Sequence, residues 1–166
     1  MTKTLLEVPT NKVLECMPII DKYVKPAYDH GIGETKWETL VARSLVGEVL
    51  IWIAFLDGQV VGAASTEIIE FDGYRCIHLI TSATDNHVGF EDFHPRLYEY
   101  TKSQGCRNIQ FWGRKGWSRA IDKVSGANKE KYKEVYRVFS MEIDYESNDK
   151  LTEPSDETYK SMGSRT

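Results

Sequence analysis

The apolar positions of this chain fall in two periods. From 49 to 56 they form a nearly unbroken run, Val49-Leu50-Ile51-Trp52-Ile53-Ala54-Phe55-Leu56, which predicts a strand covered on both faces. Asp57-Gly58 supplies a hairpin turn into a return strand over 60–71, and Asp72-Gly73 turns the chain again into 74–81. Connections this tight leave only an antiparallel meander. Small residues at Gly62, Ala63, Ala64 and Ser65 mark a stretch that something approaches closely.

Before the meander, 4–8 reads as a short strand stopped by Pro9, with Asn11 available as a cap. Val13, Met17, Ile20 and Val24 keep helical spacing. The helix they predict starts near Leu14 to Cys16, holds Pro18 in its first turn and ends around Lys25 to Tyr28, ahead of a Gly31-Ile32-Gly33 loop. A second helix is marked by a Thr35/Glu38 capping box, by Trp37, Leu40, Val41, Ser44 and Leu45 on one face, and by Gly47 at its end.

After the meander, 82–89 is read as a polar loop. Phe90, Phe93, His94, Leu97, Tyr98 and Thr101 mark a helix with Pro95 in its first turn, Asp92 as its cap and Gly105 at its end. A strand over 107–112 must then lie parallel to 74–81, because a helix joins them. Trp117, Ala120, Ile121 and Val124 form the stripe of a last helix closed by Gly126. Val135, Phe139, Met141 and Ile143 alternate along a terminal strand over 132–143. The expected fold is α+β, a mixed and mostly antiparallel sheet with helices on both faces, over residues 1–144. From 145 to 166 the chain is acidic and hydroxyl-rich, the composition of a disordered or partner-ordered tail.

Composition narrows the functions. A chain of 166 residues, 41% hydrophobic, can bury one sizeable core. A net charge of −4 and a pI near 5.6 argue against general nucleic-acid binding, which needs a basic face. Cys16, Cys76 and Cys106 are odd in number and widely spaced, so neither a disulfide framework nor a zinc site is indicated. His87 and His94 lack a third ligand at suitable spacing, and no metal is expected. No apolar run is long enough to span a bilayer and the N-terminus lacks a signal peptide's apolar core, so a cytoplasmic protein is expected.

Candidate chemistry is sparse. Glu67 and Glu70 on the third strand and His78 on the fourth are the candidate general bases, and alternation puts the two glutamates on opposite faces. Thr81, Ser82 and Thr84 could hydrogen-bond a ligand at the end of the fourth strand. No G-x-S-x-G elbow is present. Gly113-Arg114-Lys115-Gly116, at a strand-to-helix turn, could cradle an anion or meet a partner.

The order of elements resembles the GNAT acetyltransferase fold over roughly residues 4–143. Three stretches resemble, more narrowly, small GNAT-like proteins encoded by tailed bacteriophages and prophages: 50–54 with 57–64, Gln104-Gly105-Cys106, and 113–117. The resemblance implies an acetyl-CoA pyrophosphate loop, Q/R-x-x-G-x-G/A, after the fourth strand. Here that place holds Ser82-Ala83-Thr84-Asp85-Asn86-His87-Val88-Gly89 and then Glu91 and Asp92, with one glycine and no cation. The family's asparagine and its tyrosine general acid are also missing; Arg114 or Lys115, and Ile121 or Asp122, stand near those positions. The expectation is therefore a catalytically degenerate GNAT-fold protein, needing no cofactor, that acts as a virion or assembly component. Its expected partners are other phage structural proteins or a second copy, met through Arg114, Lys115 and exposed aromatics such as Tyr98, Tyr100 and Tyr159. It would be found in the host cytoplasm during infection or in the particle. The alternative is an acetyl-CoA-dependent N-acetyltransferase modifying a host or phage amine.

Overall fold

The computed structural model describes residues 1–30, 34–113, 132–135, 139–143 and 155–163. Contacts divide the chain into one unit over Met1–Tyr132 and another over Lys133–Thr166. The first holds a five-stranded sheet in the order β1 (Lys3–Val8), β2 (Leu50–Leu56), β3 (Gln59–Glu70), β4 (Arg75–Thr84), β5 (Asn108–Gln110). The first three pairings are antiparallel, and β4 with β5 is parallel. The meander and the parallel return are thus as the turns and spacing predict.

Helices α1 (Met17–Asp29) and α2 (Trp37–Leu45) cover one face of the sheet, and α3 (His94–Ser103) covers the other. On the first face Ile20, Tyr23 and Val24 of α1 and Leu40 of α2 pack on Ile51, Ile53 and Ala63. On the second, Phe93 and Leu97 pack on Trp52, Ala54, Ala64 and Ile77. The 49–56 run is apolar throughout because both its faces are buried, as expected of an inner strand.

Pro18 lies in the first turn of α1, where its missing N–H costs nothing, and the helix continues past Pro26 to Asp29. Three predicted caps are displaced: Asn11 lies inside a 3-10 turn over Thr10–Lys12, and α1 takes Cys16 as its N-cap. α2 takes extended Lys36 as its N-cap with no side-chain bond, so the Thr35/Glu38 pair sits one residue too early to close a capping box. Before α3, Phe90–Phe93 forms a 3-10 turn and Phe93 becomes the cap residue. Asp92 instead reaches Lys3 Nζ of β1 at 2.7 Å.

The largest departure is β4. It runs on through Thr81, Ser82 and Thr84, so the predicted polar loop begins only at Asp85. Ser65 pairs with Thr81 but Thr66 with Leu79, which leaves Ile80 as an extra residue, a β-bulge. Two hydroxyls of β4 are satisfied within the strand or at its end: that of Thr81 lies 2.6 Å from that of Ser65, and Thr84 Oγ1 donates to Val88 O at 2.5 Å.

The small residues of β3 lie under close contact. Ala63, Ala64 and Ser65 are fully buried, and a Cβ on Gly62 would stand 2.6 Å from Ala83 O on β4. That neighbour is backbone and cannot swing aside. Gly62→Ala should therefore destabilise the domain by about 1–3 kcal/mol, read as a lower urea midpoint with an unchanged m-value.

Residues 132–135 and 139–143 join no strand among the described residues, contrary to the predicted terminal strand, and Val135, Phe139, Met141 and Ile143 are exposed. Alternation marks a face, but a strand forms only against an edge that takes its hydrogen bonds. In the acidic stretch α4 (Asp156–Gly163) is helical, with Asp156 and Glu157 in its first turn and Lys160 in its last, the arrangement its dipole favours. The 31–33 loop, the helix over 117–124 and the turn carrying Arg114 and Lys115 lie outside the described residues, as does the Tyr159 side chain.

Candidate active site

The two-residue turn at Asp72-Gly73 fixes the register of β3 on β4, and five pairs back from it Glu67 meets His78. Their side chains share the face covered by α1 and α2. His78 Nδ1 lies 2.8 Å from Glu67 Oε1, with the imidazole almost wholly buried and the carboxylate 17% exposed. Arg43, in the last turn of α2, donates through Nη2 to the other oxygen, Glu67 Oε2, at 2.6 Å. Its Nε reaches Glu48 Oε2 at 3.2 Å. Trp112, just past β5, lays its ring against the imidazole with 4.6 Å between centroids.

The hydrogen bond from His78 holds the Glu67 carboxyl below the usual carboxylate range, with Arg43 adding to that effect and burial opposing it. An ionised carboxylate can only accept, so Nδ1 carries the hydrogen and donates it. In the neutral ring Nε2 then holds the lone pair. The same shift has a stability consequence. A depressed carboxylate pKa means that this contribution is in place at neutral pH and is lost only as pH falls through the folded-state value.

Glu70 is not part of this group. It faces the other way and pairs with Arg75 Nε at 2.9 Å, with most of its carboxylate in solvent. Both glutamates nevertheless line one shallow depression, together with Arg43, Glu48, Arg75 and Tyr100. Thr81 and Thr84 are committed to the bonds described above, while Ser82, across from Ala64, is half-buried on the α3 side.

His78 also marks where two strands part. β5 pairs with β4 only through Cys76–Asn108, Ile77–Ile109 and His78–Gln110, whereas β4 continues past the Ile80 bulge to Thr84. Beyond His78 no described strand lies along that edge of β4. A second polar group lies on the α3 side of this opening. His94 Nε2, at the start of α3, lies 2.7 Å from Tyr132 Oη, and Phe111 meets the Tyr132 ring edge-on. Burial raises the phenol's pKa far above its ordinary value.

The loop after β4 carries Asp85, Glu91 and Asp92. Asp85 accepts from the Tyr23 hydroxyl at 2.9 Å, and Asp92 is paired with Lys3. Among the described residues no group of three His, Cys, Asp or Glu could hold a metal ion, and no helix is long and apolar enough to cross a membrane.

Sequence reasoning named Glu67 and His78 separately. The register counted back from Asp72-Gly73 joins them. Arg43, Trp112 and Tyr132 come from other elements and had no local signal.

No family model matches the chain, and no curated protein does. Solved structures do. An aminoglycoside acetyltransferase from an uncultured soil metagenomic sample matches with a TM-score of 0.61 and 15% identity, over 87% of this chain and all of its own. A second, solved with trehalose, matches at 0.60 and 11%, over 84% of this chain and 97% of its own. A predicted acetyltransferase from Clostridium acetobutylicum, solved with acetyl-CoA, matches at 0.58 and 12%, over 85% and 96%. The fold is that of the GNAT acetyltransferases. At these identities the likeness is one of fold, and it extends over nearly the full length of each GNAT structure. The narrower likeness to phage-encoded GNAT-like proteins rests on the sequence segments that suggested it.

Proposed function

We propose that this GNAT-fold chain is an acyl-CoA-dependent N-acyltransferase acting on a primary amine, with His78 as general base. The observation that carries the reading is the coincidence of two features: β4 and β5 part directly after His78–Gln110, and the Glu67–His78 pair sits at that point. A β4 edge with no described strand beside it offers backbone N–H and C=O groups to an extended amide-bearing chain, as a sheet edge does to an added strand. A pantetheine arm is such a chain. The acetyltransferase names of the matched structures support the same reading over a virion role.

The residues fit that cofactor in part. The edge of β4 from Leu79 to Thr84 suits the arm. The stretch from Ser82 to Asp92 does not suit a diphosphate, since it contains three carboxylates and no lysine or arginine. Of the three, Asp85 is tied to Tyr23 and Asp92 is neutralised by Lys3, which leaves Glu91 as the carboxylate nearest to opposing an anion. When bound, acyl-CoA would supply a thioester carbon open to attack.

The chain's own part is proton chemistry. An amine attacking a carbonyl must lose a proton, and Nε2 of His78 accepts it while Nδ1–H stays on Glu67. The cation so formed lies against an ionised carboxylate. Trp112 covers the imidazole, so an acceptor amine must reach Nε2 past that ring.

The non-catalytic assembly reading has the acidic loop behind it, and one titration separates the two. Acetyl-CoA and coenzyme A are titrated by calorimetry up to millimolar concentration, and acetyl transfer to a panel of primary amines, aminoglycosides included, is followed by thiol release. Saturable binding and amine-dependent thiol release are expected. Absence of both would overturn the acyltransferase reading and leave a partner-binding role for the fold.

A further inference from the structure

Resting on His78 as the base, we infer that Arg43 is a positioning residue for the transfer reaction, acting from α2 through Glu67. The carboxylate of Glu67 has two oxygens, and each is held by a donor from a different element: Oε1 by His78 Nδ1 of β4 at 2.8 Å, Oε2 by Arg43 Nη2 of α2 at 2.6 Å. A carboxylate gripped at one oxygen only can still turn about its last bond. Gripped at both it has one orientation, and the imidazole plane follows.

Arg43 is itself held at a second point. Its Nε meets Glu48 Oε2 at 3.2 Å, which sets the plane of the guanidinium between an inner carboxylate and an outer one. Only a fork of donors spans both. A lysine ammonium is a compact point charge and would keep the charge while losing the plane. The groups facing the imidazole are accounted for on each side: Glu67 across the strand pair, Gln110 beside it on β5, and the Trp112 ring against its face.

The consequence is a defined tautomer. With Glu67 fixed as acceptor, Nδ1 keeps the hydrogen and Nε2 stays free for the amine's proton. Once Arg43 is removed, the Glu67 carboxylate has an unused oxygen, and the imidazole loses the constraint that kept a single ring orientation.

The test measures Arg43→Gln, Arg43→Lys and Glu48→Gln in the full chain by two routes. Ring 15N shifts of His78, taken without ligand, report the tautomer. Steady-state kinetics with a primary amine report kcat and KM. The wild type should show one Nδ1–H tautomer. Arg43→Gln should show mixed tautomers and a kcat lowered about 10- to 100-fold at unchanged KM for acetyl-CoA. Arg43→Lys should fall between, and Glu48→Gln, whose amide oxygen can still accept from Arg43 Nε, should lower kcat by less than Arg43→Lys does. Unchanged His78 shifts in folded Arg43→Gln or Arg43→Lys would overturn the role of Arg43. If the wild type acetylates no amine, the acyltransferase reading fails by itself while the 15N shifts still decide whether Arg43 orients His78.

Discussion

His78→Gln is expected to lower kcat/KM for acetyl transfer by about 10²–10³-fold while leaving affinity for acetyl-CoA within a factor of two or so, because general-base assistance contributes about 10²–10⁴ to such reactions. Glutamine is the informative replacement. Its amide nitrogen stands one bond farther from the backbone than Nδ1, but with a turn of the side chain its N–H can donate to the Glu67 carboxylate, so that Glu67 keeps a donor on the β4 side besides Arg43. What disappears is the group that takes a proton. A fall in kcat with KM for the donor unchanged is the signature of an interaction made in the transition state alone.

Glu67→Gln should act in the same direction and less severely, since the amide still bonds His78 but supplies no charge to a developing imidazolium. Calorimetry with acetyl-CoA separates loss of catalysis from loss of binding. If His78→Gln kept more than half of wild-type kcat/KM, the imidazole would not be the base, and its contacts with Glu67 and Trp112 would be packing.

Glu67 and His78 could be joined before any coordinates because a two-residue turn is a ruler. Once Phe71 and Tyr74 flank Asp72-Gly73, Glu70 must face Arg75 and Glu67 must face His78. The ruler fails beyond the bulge at Ile80. There the polar residues Ser82 and Thr84 read as loop, yet both stay paired with β3, Ser82 with Ala64 and Thr84 with Gly62. Bulges answer to backbone geometry over many residues and leave little trace in hydropathy.

The displaced caps have a similar cause. Asp92 is a good cap by chemistry, but Lys3 of β1 lies 2.7 Å away, and an ion pair to a neighbouring strand takes the carboxylate away from the helix end. Arg43 was illegible for a different reason. On α2 it counts as an ordinary last-turn cation, favourable to the dipole, and only the docking of that helix against β3 brings it to Glu67. Local rules thus set strands, turns and most helix limits. The site is assembled by contacts between elements that no local rule contains.

The core prediction with the largest effect concerns Trp52. This indole is fully buried in β2, opposite Glu7 on β1 and the small Ala64 on β3, which leaves room above the sheet for a large ring. Tyr100 of α3 meets it edge-on at 4.9 Å, and the Arg96 guanidinium lies 5.6 Å from the ring centroid. Its Nε1–H donates to Thr66 Oγ1 at 2.9 Å, where the threonine too is buried. Trp52→Ala removes the ring from the centre of the α3-side core and should cost about 3–5 kcal/mol. That is a large share of the roughly 5–15 kcal/mol that holds an ordinary domain together.

Trp52→Phe divides the loss, because it keeps most of the apolar contact and leaves the Thr66 hydroxyl without its donor, at about 1–3 kcal/mol. Leu14→Ser, at a side chain left 67% exposed, serves as the comparison and should change stability by about 0.5 kcal/mol at most. Urea unfolding followed by circular dichroism gives all three. Because Trp52 lies on the face opposite Glu67 and His78, a folded Trp52→Phe should retain acetyl transfer while losing stability. A Trp52→Ala protein within 1 kcal/mol or so of wild type would mean that the α3-side core does not depend on this ring.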